Sequence, residues 1–171
     1  MAFTISGTSG INLGTQPLAG VLPDANAPSG SVLQVVQASY STPTATTSGS
    51  FVDTGLTASI TPSSSTSKIL VIVNQQIRMQ KTGTTDTGHA IKIVRDSTTV
   101  FTRDDSGTAS YYSTQLDRAD MRYTNNMVYL DSPSSTSSVA YKTQFLSYNT
   151  STVTAQNSSI PSTITLMEIS A

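Results

Sequence analysis

Any chemistry on this chain would have to start from one imidazole and ten carboxylates, because His89 is the sole histidine and there is no cysteine. A Ser-His-Asp arrangement needs the histidine beside a serine and a carboxylate in space. Serines are so frequent here that nearness in sequence selects none of them. One histidine without thiolates is also a poor start for a zinc site. His89 therefore reads as a strand-start or pocket histidine. The acids are Asp24, Asp53, Asp86, Asp96, Asp104, Asp105, Asp117, Asp120, Asp131 and Glu168. The run 104-DDSGT-108 lacks the alternating Asp/Asn spacing and distant Glu of a calcium loop, and reads as a turn. In 81-KTGTTDTG-88 the glycines come without the Gly-Lys-Ser/Thr ending that cradles phosphate, and the stretch reads as a hairpin tip. Glycoside hydrolysis needs two carboxylates a few ångströms apart in space, and spacing singles out no such pair. No catalytic residue, metal ligand or cofactor site is assigned, and the chain reads as a non-enzyme.

One segment invites a binding role instead. The stretch 103-RDDSGTASYYSTQLDRADMRY-123 gathers tyrosines and arginines. Tyrosine offers an apolar ring and a hydroxyl, which suits sugar rings and wet interfaces. Arginine forks onto acidic partners through paired hydrogen bonds. Arg103, Tyr111, Tyr112, Arg118, Arg122 and Tyr123 are the candidate receptor contacts, with a host surface polysaccharide as ligand. The competing reading is a long loop whose tyrosines pack on the domain or on a neighbouring copy. A short helix over 113–123 would set Tyr112, Leu116 and Ala119 on one side; a solvated loop is preferred.

Behind these residues the chain is poor in charge. Only 11% of residues are charged, the formal net charge is −1, and 36% are hydrophobic, enough for a modest core. The few basic residues are scattered, which argues against nucleic acid as a partner. No stretch approaches the ~20 apolar residues of a membrane helix. The opening MAFTISGTSG lacks the basic-then-apolar pattern of a signal peptide.

From Ser31 onward the residues alternate or cluster as strands do. The predicted strands are 32–40, 51–60 (broken by Gly55), 68–79, 89–96, 98–103, 121–130, 138–148, 152–157 and 163–170. The run 68-KILVIVNQQIRM-79 starts as a strand buried on both faces and ends in alternation. In 138–148, Val139, Tyr141, Thr143 and Phe145 share a face. Short strands with turn signals between them predict an all-β fold: an antiparallel β-sandwich of jelly-roll type with about eight or nine strands over 31–171.

Residues 1–30 differ. Phe3 and Ile5, then Ile11 and Leu13, fit a small hairpin with one apolar face, and Leu18, Val21 and Leu22 form an apolar patch in a Pro- and Gly-rich linker. A two-stranded hairpin is marginal alone. This extended N-terminal arm is therefore expected to anchor the domain to something larger, through Phe3, Ile5, Ile11, Leu13, Leu18, Val21 and Leu22.

The chain repeats a polar ramp. A proline and a run of Ser and Thr lead into strand residues in 59-SITPSSSTSKILVIV-73, in 131-DSPSSTSSVAYKTQF-145 and, more briefly, in 160-IPSTITLMEI-169. Proline is tolerated at the start of a strand, and hydroxyls satisfy turn backbone without charge. Each ramp is expected to be a corner between sheets.

The phrases 30-GSVLQVVQ-37, 55-GLTASITPSSSTSKILVIV-73, 129-YLDSPSSTSSVAYKTQ-144 and 164-ITLME-168 together resemble a family of β-rich domains. These occur in virion proteins of tailed phages, especially those of cyanobacteria and marine bacteria. The resemblance spans about 30–171 and is weakest over 80–125. It implies a tail-fibre-like or other structural component of the virion, assembled in the cytoplasm of a bacterial host and commonly a homotrimer. It carries over no catalytic residues. The expected role is a short fibre or tip held to other virion proteins by residues 1–30; capsid decoration or cement is the alternative.

Overall fold

The computed structural model describes residues 27–82, 87–104, 118–149 and 151–171. The anchoring candidates Phe3, Ile5, Ile11, Leu13, Leu18, Val21 and Leu22 lie outside these residues, as do Tyr111 and Tyr112. Ten strands are described: β1 (Val32–Tyr40), β2 (Thr44–Thr46), β3 (Val52–Ile60), β4 (Lys68–Thr82), β5 (Gly88–Arg95), β6 (Thr98–Asp104), β7 (Arg118–Asp131), β8 (Val139–Tyr148), β9 (Thr152–Ala155) and β10 (Ser162–Ile169). All described pairings are antiparallel.

The pairing is nested. At the tip, β5 pairs with β6 around the Asp96–Ser97 turn. Then β4 pairs with β7, β3 with β8, and β1 with β10. A long antiparallel hairpin rolled up in this way gives two sheets, β1-β10-β4-β7 and β3-β8-β5-β6. That order is a jelly roll.

Two short segments extend the first sheet. β9 takes over from β10 alongside the second half of β4, and β2 continues the line of β1 against β9. Both long strands are interrupted at the same level, one at Ser41–Pro43 and the other at Gln156–Pro161. Each interruption contains a proline, which lacks the N–H a ladder needs. The second also passes through left-handed backbone at Gln156, Ser158 and Ser159.

The strands follow the predicted ones closely, with β2 as an addition. In place of an irregular 121–130, β7 is one continuous strand of 14 residues. Residues 118–123 belong to it, so neither the preferred solvated loop nor the helical option over 113–123 holds there: every residue from Arg118 to Asp131 has a ladder partner in β4. The hairpin tip expected at 81–88 is instead a crossing between sheets, since β4 and β5 lie in different ones. Gly55 does not break β3, which runs continuously from Val52 to Ile60, but it interrupts the ladder with β8. Its φ is +90°, the register with β8 shifts between Asp53 and Thr57, and a Cβ at Gly55 would sit 2.2 Å from the Tyr40 ring. Glycine alone tolerates that conformation and approach.

Two of the three ramps are corners between sheets. Residues 61–67 carry the chain from β3 to β4, and 132–138 carry it from β7 to β8. Pro62 and Pro133 begin these corners rather than the strands. Inside them hydroxyls bond to the backbone as expected: Thr66 N–H donates to Ser64 Oγ (3.2 Å) and Ser137 N–H to Ser135 Oγ (3.0 Å). The third ramp stays within one sheet, because β9 and β10 both border β4.

The core lies between the sheets. Ile69, Val71, Val73, Ile77 and Met79 of β4 face Leu56, Ile60, Ile91, Ile93, Tyr141 and Phe145 of the second sheet. The start of β4 is not buried on both faces. Leu70 and Ile72 alternate outward and are half-buried, because the roll covers only the inner face of the first sheet.

Candidate functional site

Among the described residues, buried polar side chains interrupt the core in several places, and strand parity accounts for three groups of them. At mid-height, Gln75 occupies the inward position of β4 after Ile69, Val71 and Val73. Thr143 holds the equivalent place on β8, between Tyr141 and Phe145. Thr143 Oγ1 donates to Gln75 Oε1 (2.8 Å) and lies 2.5 Å from Thr54 Oγ1, while Gln75 Nε2 donates to Ser162 Oγ (2.9 Å). With the Gln156 amide turned to match its neighbours, its oxygen accepts from Gln75 Nε2 (2.6 Å), and its nitrogen donates to the Thr54 carbonyl (3.2 Å). Thr54, Gln75, Thr143, Gln156 and Ser162 are all buried. Buried amides and hydroxyls are costly unless bonded; here they bond to one another, across both sheets and at the level where the long strands break.

At the end bearing the connections 61–67 and 132–138, two carboxylates are buried. Glu168 continues the inward parity of Ile164 and Leu166. Its Oε1 accepts from the backbone N–H and hydroxyl of Ser63 (both 2.7 Å), and Oε2 accepts from Gln34 Nε2 (2.6 Å). Burial pushes this carboxyl up, but the bonds from Gln34 and Ser63 outweigh it and hold the group below the usual glutamate value. The first ramp is thus held by charge as well as by hydroxyls. Nearby, Asp131 Oδ2 accepts from Tyr141 Oη (2.7 Å) and Arg95 Nη1 (2.6 Å). Burial first, then the hydrogen bond to Asp131, push the Tyr141 phenol far above its ordinary value.

At the opposite end, His89 is buried on β5 in line with Ile91 and Ile93. Asn125 Nδ2 lies 2.8 Å from His89 Nε2, Tyr123 Oη lies 3.0 Å from His89 Nδ1, and Tyr123 O–H points to Met79 Sδ at 3.8 Å. One proton assignment satisfies the series: Asn125 donates to Nε2, Nδ1–H donates to Tyr123, and Tyr123 donates to the thioether. The imidazole, held between a phenol and an amide, ties β5 to β7 across the sandwich. These described partners are not those of a Ser-His-Asp site.

The candidate contact residues divide accordingly. Tyr123 points inward to His89, whereas Arg122, its neighbour, points out from the first sheet, 3.9 Å from Asp120 Oδ1. Arg103 lies on edge strand β6 and donates to the Asn126 carbonyl of β7 (3.3 Å), bridging the open side of the roll. Arg118 opens β7. Arg103, Arg118 and Arg122 therefore all belong to the two strands that flank residues 105–117. Parity could have signalled the inward Tyr123, since it shares a face with Asn125 and Met127. Among the described residues, no group of three or more His, Cys, Asp or Glu could hold a metal ion, and no helix is long and apolar enough to cross a membrane.

No protein-family model matches the chain, and no curated protein matches it. Solved structures do. The chain is similar to the VP2 subviral particle of infectious bursal disease virus, with a TM-score of 0.40 and 15% identity over 82% of this chain and 38% of that one. It is likewise similar to the Gx strain structure of that virus (TM-score 0.40, 13% identity, 91% and 43% covered) and to T=1 particles derived from it (TM-score 0.37, 16% identity, 91% and 41% covered). This chain spans less than half the length of those matches. The jelly-roll assignment itself rests on the strand order above.

Proposed function

We propose that this chain is a non-enzymatic virion surface protein of a tailed phage, a short fibre or tip domain attached by residues 1–30. One observation supports the reading: the buried carboxylates Glu168 and Asp131 are bonded to a corner and to neighbouring strands. The phrases behind the phage resemblance coincide with that framework. Glu168 of 164-ITLME-168 grips Ser63 of the first ramp, and Asp131 of 129-YLDSPSSTSS-138 grips Tyr141 and Arg95. These residues build a rigid block for display, and none is left poised for proton transfer.

In this reading the outward end is the one from which residues 105–117 emerge. Arg103, Arg118 and Arg122, with Tyr111 and Tyr112 between them in sequence, contact host surface polysaccharide; Tyr123 supports them from inside. The assembly is a homo-oligomer, a trimer by the resemblance. The test is binding of the purified full-length chain to host cells and extracted polysaccharide. Retention by the wild type and its loss in Arg122→Ala or Tyr112→Ala, with the fold intact, is expected. A folded oligomer that ignores host cells overturns the receptor role, and release of oligosaccharides overturns the non-enzymatic one. Capsid decoration, the second reading, draws on the same arm. Antibody labelling of particles separates the two: tail or vertex location supports the fibre, and coverage of the whole shell supports decoration.

A further inference from the structure

β4 runs unbroken past a change of neighbour. On one side it faces β10 as far as Asn74, opposite Thr163, and β9 from Ile77, opposite Ala155. Gln75 and Gln76 therefore stand where the neighbouring line has residues 156–162. The surplus leaves the ladder as a short excursion, left-handed at Gln156 (φ 52°), Ser158 (φ 57°) and Ser159 (φ 58°). Such backbone is unfavourable for residues that carry a Cβ. Side-chain packing does not hold it in place: of residues 156–161 only Gln156 is buried, and Ile160 is 44% exposed.

Hydrogen bonds hold it instead. Gln76 N–H donates to Ser162 Oγ (2.9 Å), and Gln156 N–H donates to the Gln76 carbonyl (3.1 Å). A hydroxyl and an amide thus replace the missing ladder at the gap. Both come from residues rooted in the buried cluster of Thr54, Gln75, Thr143, Gln156 and Ser162, whose bonds reach the second sheet. Thr44, which opens β2, joins the same cluster by donating from Oγ1 to the Thr54 carbonyl (3.1 Å). We infer that this cluster is a clasp, which fixes where β9 gives way to β10 and holds residues 156–161 in one conformation.

The apolar pattern cannot make that choice. Ile69, Val71, Val73, Ile77 and Met79 of β4, and Ile164 and Leu166 of β10, keep their faces when the pairing slides by two residues, because side chains alternate with a period of two. Buried amides and hydroxyls do distinguish such alignments, since a wrong one leaves them unbonded. The cluster lies where both long strands of the first sheet are interrupted, so one set of bonds governs both interruptions. It also decides what the surface presents: the excursion sets Asn157 Oδ1 3.4 Å from Arg78 Nη1, on the outward face that Arg122 shares.

The experiment is amide hydrogen exchange, read by NMR on the full-length chain. The combined variant Gln75→Leu, Thr143→Val, Gln156→Leu and Ser162→Ala removes the side-chain bonds of the clasp together. Ile160→Ala, the control, trims the exposed apolar side chain of the excursion and leaves the clasp intact. The amides to follow are those of Gln76, Gln156, Ser159 and Ile160, whose N–H groups are bonded at the junction. In the combined variant they should exchange about tenfold faster or more relative to the amides of β5, with multiple signals for residues 156–161. In Ile160→Ala they should match the wild type. A combined variant whose junction amides behave as in the wild type overturns the inference, and so does Ile160→Ala freeing them equally. Failure of the combined variant to fold overturns it as well, because the cluster is then a general support and not a local clasp. The measurement uses no particle or host, so its failure is distinct from failure of the virion reading.

Discussion

Replacing Glu168 with glutamine tests whether charge locks the first corner. The side chain keeps its size but loses its negative charge and one acceptor. In the wild type its two oxygens take three bonds, from Ser63 N–H, Ser63 Oγ and Gln34 Nε2. With the new amide oxygen turned to Ser63, its NH₂ meets the Gln34 NH₂, donor against donor. Turning Gln34 instead gives up its 2.7 Å bond to the Thr61 carbonyl. Hydrogen bonds to charged groups contribute about 1.5–3 kcal/mol and neutral ones about 0.5–1.5. Three weakened bonds then cost about 2–4 kcal/mol, a large part of the ~5–15 kcal/mol that holds a domain together. Urea unfolding followed by circular dichroism at fixed protein concentration should show the midpoint falling by about 1–2 M at neutral pH. The pH dependence follows in sign. The folded-state pKa of Glu168 is held below its unfolded value of about 4.5. Its contribution is present above that value and is lost as pH falls through the folded pKa. The gap between wild type and Glu168→Gln should therefore be full at neutral pH and narrow in acid. A neutral-pH difference under about 0.5 kcal/mol, or one that does not narrow in acid, would refute the argument.

Other substitutions probe the remaining framework. Asp131→Ala strands the buried Tyr141 hydroxyl and removes the counter-charge of Arg95, which is partly solvated; a loss of about 2–4 kcal/mol is expected in urea unfolding. Combining it with Tyr141→Phe should cost less than the sum of the two single changes, because both remove the same bond. Gly55→Ala forces a Cβ into left-handed backbone and against the Tyr40 ring, 2.2 Å away. It should destabilise by roughly 2–4 kcal/mol in a thermal melt, and trimming Tyr40 to alanine in the same chain should recover only the steric part of its effect.

Alternation and turn chemistry alone determined much of this molecule. The strands, the all-β class and the shared face of Val139, Tyr141, Thr143 and Phe145 follow from a period of two, which is a local property of the chain. So does the use of Ser and Thr hydroxyls in the corners. Pairing across the sheet is not local, and only the tertiary structure decided it. Glu168 looks like a lone acid in 164-ITLME-168 until the roll brings Ser63 and Gln34 to its oxygens. The third ramp resembles the other two, yet it stays in one sheet because β4 is long enough to carry β10 and β9 in succession. Leu70 and Ile72 look buried from sequence, because hydrophobicity does not say which face a neighbour covers. The outward apolar surface they share with Val35, Met167, Leu130 and Val128 is assembled from four strands far apart in the chain. Register, the alignment of distant strands by hydrogen bonds, makes that surface, and no window along the sequence contains it.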